Sequence, residues 1–87
     1  MNENETNRNM YGYVLMNLKK NEEALKVFKK NTEKYPQSWN VFDSLGEALN
    51  KTDDSSGAIF NYKKALELAP ANQKKRIEDI LSALKAK

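Results

Sequence analysis

The chain is written twice. Setting residues 5–38 above residues 39–72, an offset of 34, aligns Gly12 with Gly46, Leu15 with Leu49, Ala24 with Ala58, Phe28 with Tyr62, Lys29-Lys30 with Lys63-Lys64, Glu33 with Glu67 and Pro36 with Pro70. A fixed period of this length means equivalent supersecondary units stacked on one another. Phe42, Leu45, Gly46 and Leu49 recur at i, i+3, i+4 and i+7, and Ala58, Ile59, Tyr62, Ala65, Leu66 and Ala69 continue the spacing. That is one face of a 3.6-residue helix. Between the two runs, Thr52-Asp53-Asp54-Ser55-Ser56 consists of residues that cap helices and turn chains. Each unit is predicted as a helix hairpin closed by a proline.

The first unit carries its own version of these signals. Met10, Tyr11, Val14, Leu15 and Leu18 form an apolar face, followed by the turn Lys19-Lys20-Asn21. Asn21 is predicted as the N-cap of the next helix, with Glu22 and Glu23 in the first turn, where the helix dipole favours acids. That helix runs to Tyr35, since the residue before Pro36 is pushed out of helical geometry. A glycine inside a helix costs about 1 kcal/mol against alanine. Gly12 and Gly46, each with an alanine 12 residues later, are read as places where two helices cross closely. The last segment is a further amphipathic helix, 73–87, with Ile77, Ile80, Leu81 and Leu84 on one face. Having no partner helix, it is read as a cap over the final hydrophobic layer. Residues 1–4 show no periodicity and are expected to be disordered.

Composition narrows the function. The net charge is +3, with no histidine and no cysteine. A Ser-His-Asp triad, a Cys-His pair, a thiolate or histidine metal site and a disulfide framework are therefore excluded. No metal or other cofactor is expected, and no enzymatic activity. Ser82-Ala83-Leu84-Lys85 has the form S-x-x-K but stands without the companion elements such chemistry needs. A calcium loop through Asp53, Asp54 and Gly57 fails because Lys63 falls where a bidentate glutamate belongs. No apolar run approaches the ~18 residues that cross a bilayer, and no basic-then-apolar leader is visible, so a cytoplasmic location is the default expectation. Basic residues predominate in 5–38 and in the tail, acidic ones in 39–72. A weak nucleic-acid binder is the reading this charge would suggest, but no aromatic residues interleave with the basic ones as a stacking platform. Neither nucleic acid nor membrane is expected as a partner.

The series Gly46, Ala58, Tyr62, Ala65, Pro70, with spacings 12, 4, 3 and 5, and its copy Gly12, Ala24, Phe28, Pro36, resembles the tetratricopeptide repeat. The resemblance covers 5–72, with the last helix as cap. It implies an all-α superhelix of two helix-turn-helix repeats plus a C-terminal capping helix, five helices in one domain, that binds protein. Arg8 departs from the large apolar residue usual there, and Lys19 and Asp53 replace the turn glycine. A narrower similarity runs through Ala24-Leu25, Phe28-Lys29, Asn31, Tyr35-Pro36, Ser38, Asn40 and Asp43-Ser44-Leu45-Gly46-Glu47-Ala48. These words resemble the paired repeats that close some bacterial serine hydrolases of the beta-lactamase-like or alpha/beta kind. That similarity would make the chain an accessory C-terminal extension of a larger enzyme, with no free ligand.

In the tetratricopeptide family the first helix of each hairpin lines a concave groove. Carried over by register, the lining is Thr6, Asn9, Tyr13, Met16 and Asn17, then Asn40, Asp43, Glu47, Asn50 and Lys51. Asparagine amides there can pair with both N–H and C=O of an extended peptide, and Tyr13 and Met16 would add apolar contact. The family's carboxylate clamp is not reproduced, since its places hold Asn9, Tyr13, Ser44, Lys74 and Glu78. The side of the first helix near Met10 and Val14 has no preceding repeat to cover it, and self-association or docking to an upstream domain is expected there.

Overall fold

The computed structural model describes residues 5–86. The order is α1 (Glu5–Asn17), α2 (Asn21–Lys34), α3 (Trp39–Lys51), α4 (Ser55–Leu68) and α5 (Ala71–Lys85). No strand occurs among the described residues. Each helix packs on the next in chain order, and α1 also touches α3. The all-α helical-repeat architecture expected from the 34-residue period is the one the chain adopts. The expected disorder of residues 1–4 lies outside the described residues, as does Lys87.

The two hairpin turns repeat the same bonding. Lys20 N–H donates to Leu15 C=O at 2.8 Å and Lys19 N–H to Met16 C=O at 3.0 Å; one period later Asp54 N–H donates to Leu49 C=O at 2.9 Å and Asp53 N–H to Asn50 C=O at 3.2 Å. This pairing of a long-span and a short-span bond ends a helix through one left-handed residue, usually glycine. Lys19 and Asp53 hold that place with φ of 65° and 66°. A lysine side chain in that region crowds its own backbone, at a cost of roughly 1–2 kcal/mol.

The turns differ in how the next helix begins. Asp54 caps α4, its carboxylate accepting from Gly57 N–H at 2.9 Å. In repeat one the capping position belongs to Lys20, without a side-chain cap, and Asn21 lies inside α2. The expectation that Asn21 caps α2 is thus corrected by one residue, because the turn bonds place Lys20 where Asp54 stands. Repeat one therefore lacks two things that repeat two has or approaches. Lys19→Gly and Lys20→Asp are each expected to stabilise the chain by about 1 kcal/mol. Thermal melts of the two variants and their combination check this; a fall in the melting temperature for both would show that the turn geometry is not limiting.

α5 starts at Ala71, two residues before the expected 73, because Pro70 occupies its N-cap position with φ −69° and ψ 161°. Lys74 Nζ reaches back to donate to Leu66 C=O at 2.8 Å, satisfying one of the orphan carbonyls at the end of α4. Ile77, Leu81 and Leu84 close the core, which runs from Leu15, Ala24 and Phe28 through Leu45, Leu49, Ala58, Tyr62, Ala65 and Ala69.

The glycines do mark close approach, with the partner shifted from the expected alanine. A Cβ on Gly12 would lie 2.5 Å from the Phe28 ring, and one on Gly46 would lie 2.9 Å from the Tyr62 ring. The alanines, Ala24 and Ala58, are fully buried one helical turn before those rings. α1 also departs from its expected single apolar face. Gly12, Leu15 and Met16 are buried, whereas Met10, Tyr11, Val14 and Leu18 are exposed. Apolar residues occupy both sides of this helix, and only packing decides which side is the core.

Candidate peptide-binding groove

The groove positions come from the first helix of each hairpin, so residues one period apart stand at equivalent places on α1 and α3. Asn9 is matched by Asp43, Tyr13 by Glu47, Met16 by Asn50, Asn17 by Lys51 and Thr6 by Asn40. Asn9, Tyr13, Asn40, Asp43, Glu47 and Asn50 are half-buried, and Thr6, Asn17 and Lys51 are exposed. Met16 is buried, 7% exposed, in the core cluster. The expected apolar contact from Met16 is therefore corrected: its side chain fills the space under α1 and is not offered to a guest.

Tyr13 joins the two repeats. Its ring meets Phe28 edge-on, with centroids 5.2 Å apart and planes at 68°. Its hydroxyl donates to Glu47 Oε1 at 2.9 Å and stands 3.2 Å from Ser44 Oγ. Burial, with added repulsion from the Glu47 and Asp43 carboxylates and opposition from the Ser44 hydrogen bond, pushes the Tyr13 phenol up to about 12. It remains a neutral donor at any ordinary pH. Burial and the same two carboxylates also push the Tyr62 phenol up.

Asp43 has the opposite problem, a charge taken out of water. Burial raises its pKa above the ordinary value, opposed by Arg76 and assisted by Glu47. Arg76 from α5 answers with an ion pair, Nη2 to Asp43 Oδ2 at 3.1 Å. The same guanidinium lies 6.0 Å from the Trp39 ring centroid, at the edge of cation–π range, and its Nε donates to Gln73 Oε1 at 3.1 Å. Lys74 of the same helix is engaged as well, with Leu66 C=O. Asp43 Oδ1 and Asn9 Oδ1, at matching positions one period apart, are buried and have no hydrogen-bond partner.

At the other end of α1, Ser38 Oγ, at the N-cap of α3, donates to Glu5 Oε2 at 2.7 Å, and Asn31 Nδ2 of α2 donates to Glu5 C=O at 3.3 Å. Sequence reasoning does not foresee the contacts of Trp39 and Arg76, and it names Ser44 only by register with the family's carboxylate clamp. The signal that could have found the Tyr13 link is the period itself, because its two bonds, to Ser44 and Glu47, span 31 and 34 positions. Among the described residues no three acidic, histidine or cysteine side chains cluster to hold a metal. No helix there is long and apolar enough to cross a membrane.

Residues 6–33 and 41–72 each match the tetratricopeptide repeat. With the hairpin pair, the signature Gly12, Ala24, Phe28, Pro36, Gly46, Ala58, Tyr62, Ala65 and Pro70 and the stacked groove helices, the chain belongs to the tetratricopeptide repeat family. Such repeats generally mediate protein–protein interaction. A comparison with curated proteins finds no matching relative.

Proposed function

We propose that this chain is a non-catalytic interaction module whose concave groove takes an extended, neutral or basic protein segment. The carrying observation is the pair of buried acceptors, Asn9 Oδ1 and Asp43 Oδ1, one repeat apart and without partners. Buried acceptors of this kind are nearly always satisfied, and backbone N–H groups along one edge of an extended guest are donors of the kind they lack. Asn40 and Asn50 then offer amides to the guest's backbone on the α3 side. Charge sets the preference. The Arg76–Asp43 pair cancels, Lys51 sits at the exposed end of the row, and Glu47 is left as the uncompensated central charge.

Calorimetric titration with three peptides tests this: a basic segment, a neutral one, and an acidic C-terminal tail. The first two are expected to bind and the acidic tail to bind no better than a scrambled control. Glu47→Gln is expected to weaken the basic peptide by roughly fivefold, the ~1 kcal/mol that an exposed ion pair supplies at most. Tight binding of the acidic tail, lost on Lys74→Ala, would overturn the assignment.

A second reading rests on Asn31. It is fully buried where repeat two has Ala65, and it is spent on fixing the start of α1. With the wording of 24–48, it supports the chain as the C-terminal accessory part of a larger serine hydrolase that packs on its own enzyme. An in-frame hydrolase domain upstream in the coding sequence would favour this reading, and its absence would remove it.

A further inference from the structure

Four large apolar side chains are exposed together on one side of α1 and the residue after its end. Met10, Tyr11, Val14 and Leu18 are 61%, 57%, 51% and 61% exposed, and Leu18 N–H still donates to Val14 C=O at 3.0 Å, so the helical path reaches it. Met10, Val14 and Leu18 fall at i, i+4 and i+8, one straight stripe. From Asn9 to Leu18 there is no charged residue. The four side chains leave on the order of 400 Å² exposed, the size of the largest apolar patch on a typical monomer.

The internal repeat shows what this stripe is not built for. One period later the equivalent positions are Ser44, Leu45, Ala48 and Thr52, and the first three are 1%, 5% and 1% exposed because repeat one covers them. Ser44 and Ala48 are small, which lets that contact close. Met10 and Val14 stand in their places on α1. A hairpin stacked there as repeat one stacks on α3 would be overpacked.

The stripe is, however, complementary to itself. Reversed about Val14, Leu18 of one copy comes level with Met10 and Tyr11 of the other. Apolar residues meet apolar ones, and no charged residue lies between Met10 and Leu18. Antiparallel alignment also sets the C-terminal end of each α1 beside the N-terminal end of the other, the favourable arrangement of helix dipoles. A cleft of about 250 Å³ lined by Asn7, Arg8, Tyr11 and Val27 lies alongside, next to the place this register gives the second Leu18.

We propose that two copies of this chain associate antiparallel through α1, about a two-fold axis passing at Val14. A two-fold contact needs one patch that matches itself, and this stripe does. Its area is below the roughly 800 Å² per partner of a stable interface, so the dimer forms with rising concentration and dissociates on dilution. This proposal is independent of the groove reading, because the four stripe residues are not groove residues.

Single cysteines test it cleanly, since the chain has none of its own. Cysteines bridge only when their Cα atoms come within about 7 Å. Under mild oxidation Val14→Cys is expected to form covalent dimer at least tenfold faster than Phe60→Cys, a 71% exposed control on α4. Met10→Cys alone should cross-link poorly, because its two copies stand about 12 Å apart along the helices. Mixed with Leu18→Cys it should cross-link well. The native chain should show concentration-dependent mass by sedimentation, abolished by Val14→Lys. Equal rates for Val14→Cys and Phe60→Cys would overturn the proposal, as would a native chain that stays monomeric at millimolar concentration. Rapid bridging of Met10→Cys with itself would overturn the register.

Discussion

Phe28→Ala is expected to cost about 3–5 kcal/mol, the usual loss when a buried aromatic ring is removed. A chain of this length holds roughly 4–13 kcal/mol in all, so a large part of its stability depends on this one ring. Phe28 has no exposed surface. It fills the gap that Gly12 leaves in α1 and supports the edge of Tyr13. Alanine there opens a cavity that a glycine cannot fill from the other side. Tyr13 would lose the contact that aims its hydroxyl at Glu47, so the link between repeats weakens along with the first hairpin. Urea unfolding followed by far-UV circular dichroism measures the effect. Should Phe28→Ala prove unfolded in water, Phe28→Leu keeps most of the volume and is expected to lose less than half as much. A midpoint unchanged by either would show that the ring does not wedge the hairpin.

Phe28 is legible in the sequence because the 34-residue period pairs it with Tyr62. The same logic gives the hairpins, the turns at Lys19 and Asp53 and the proline boundaries. A repeat forces local and tertiary signals to agree twice, and a pattern seen twice is hard to misread. The failures fall where the period has no second copy to consult or where one helix carries two apolar sides. Met16 reads as a groove residue and lies in the core, since in α1 hydrophobicity alone does not separate inside from outside. Asn21 reads as a cap on residue type, and the turn bonds give that place to Lys20. Arg76 looks like one of several basic residues on the last helix, yet it pairs with Asp43 of α3. Side-chain pairings between helices depend on rotamers and distances that a linear pattern does not contain.

The second large effect concerns the two glycines, and here the sign is the test. In an ordinary helix interior Gly→Ala gains about 1 kcal/mol from propensity alone. At Gly12 and Gly46 the new methyl would meet ring carbons at 2.5 Å and 2.9 Å, closer than carbon atoms approach without strain. The rings cannot easily move away, because Phe28 is fully buried and Tyr62 is 4% exposed. Both alanine variants are therefore expected to destabilise, Gly12→Ala more than Gly46→Ala, in the order of the two distances. Gly46→Leu should force α3 and α4 apart and cost roughly 1–3 kcal/mol. The damage should also be repairable from the other helix. Gly12→Ala combined with Phe28→Leu is expected to be more stable than the sum of the two single losses, by about 1 kcal/mol of coupling. Denaturation midpoints of the four chains in that cycle decide the matter. If both alanine variants instead gain stability and the cycle shows no coupling, the glycines are not there to let the rings in.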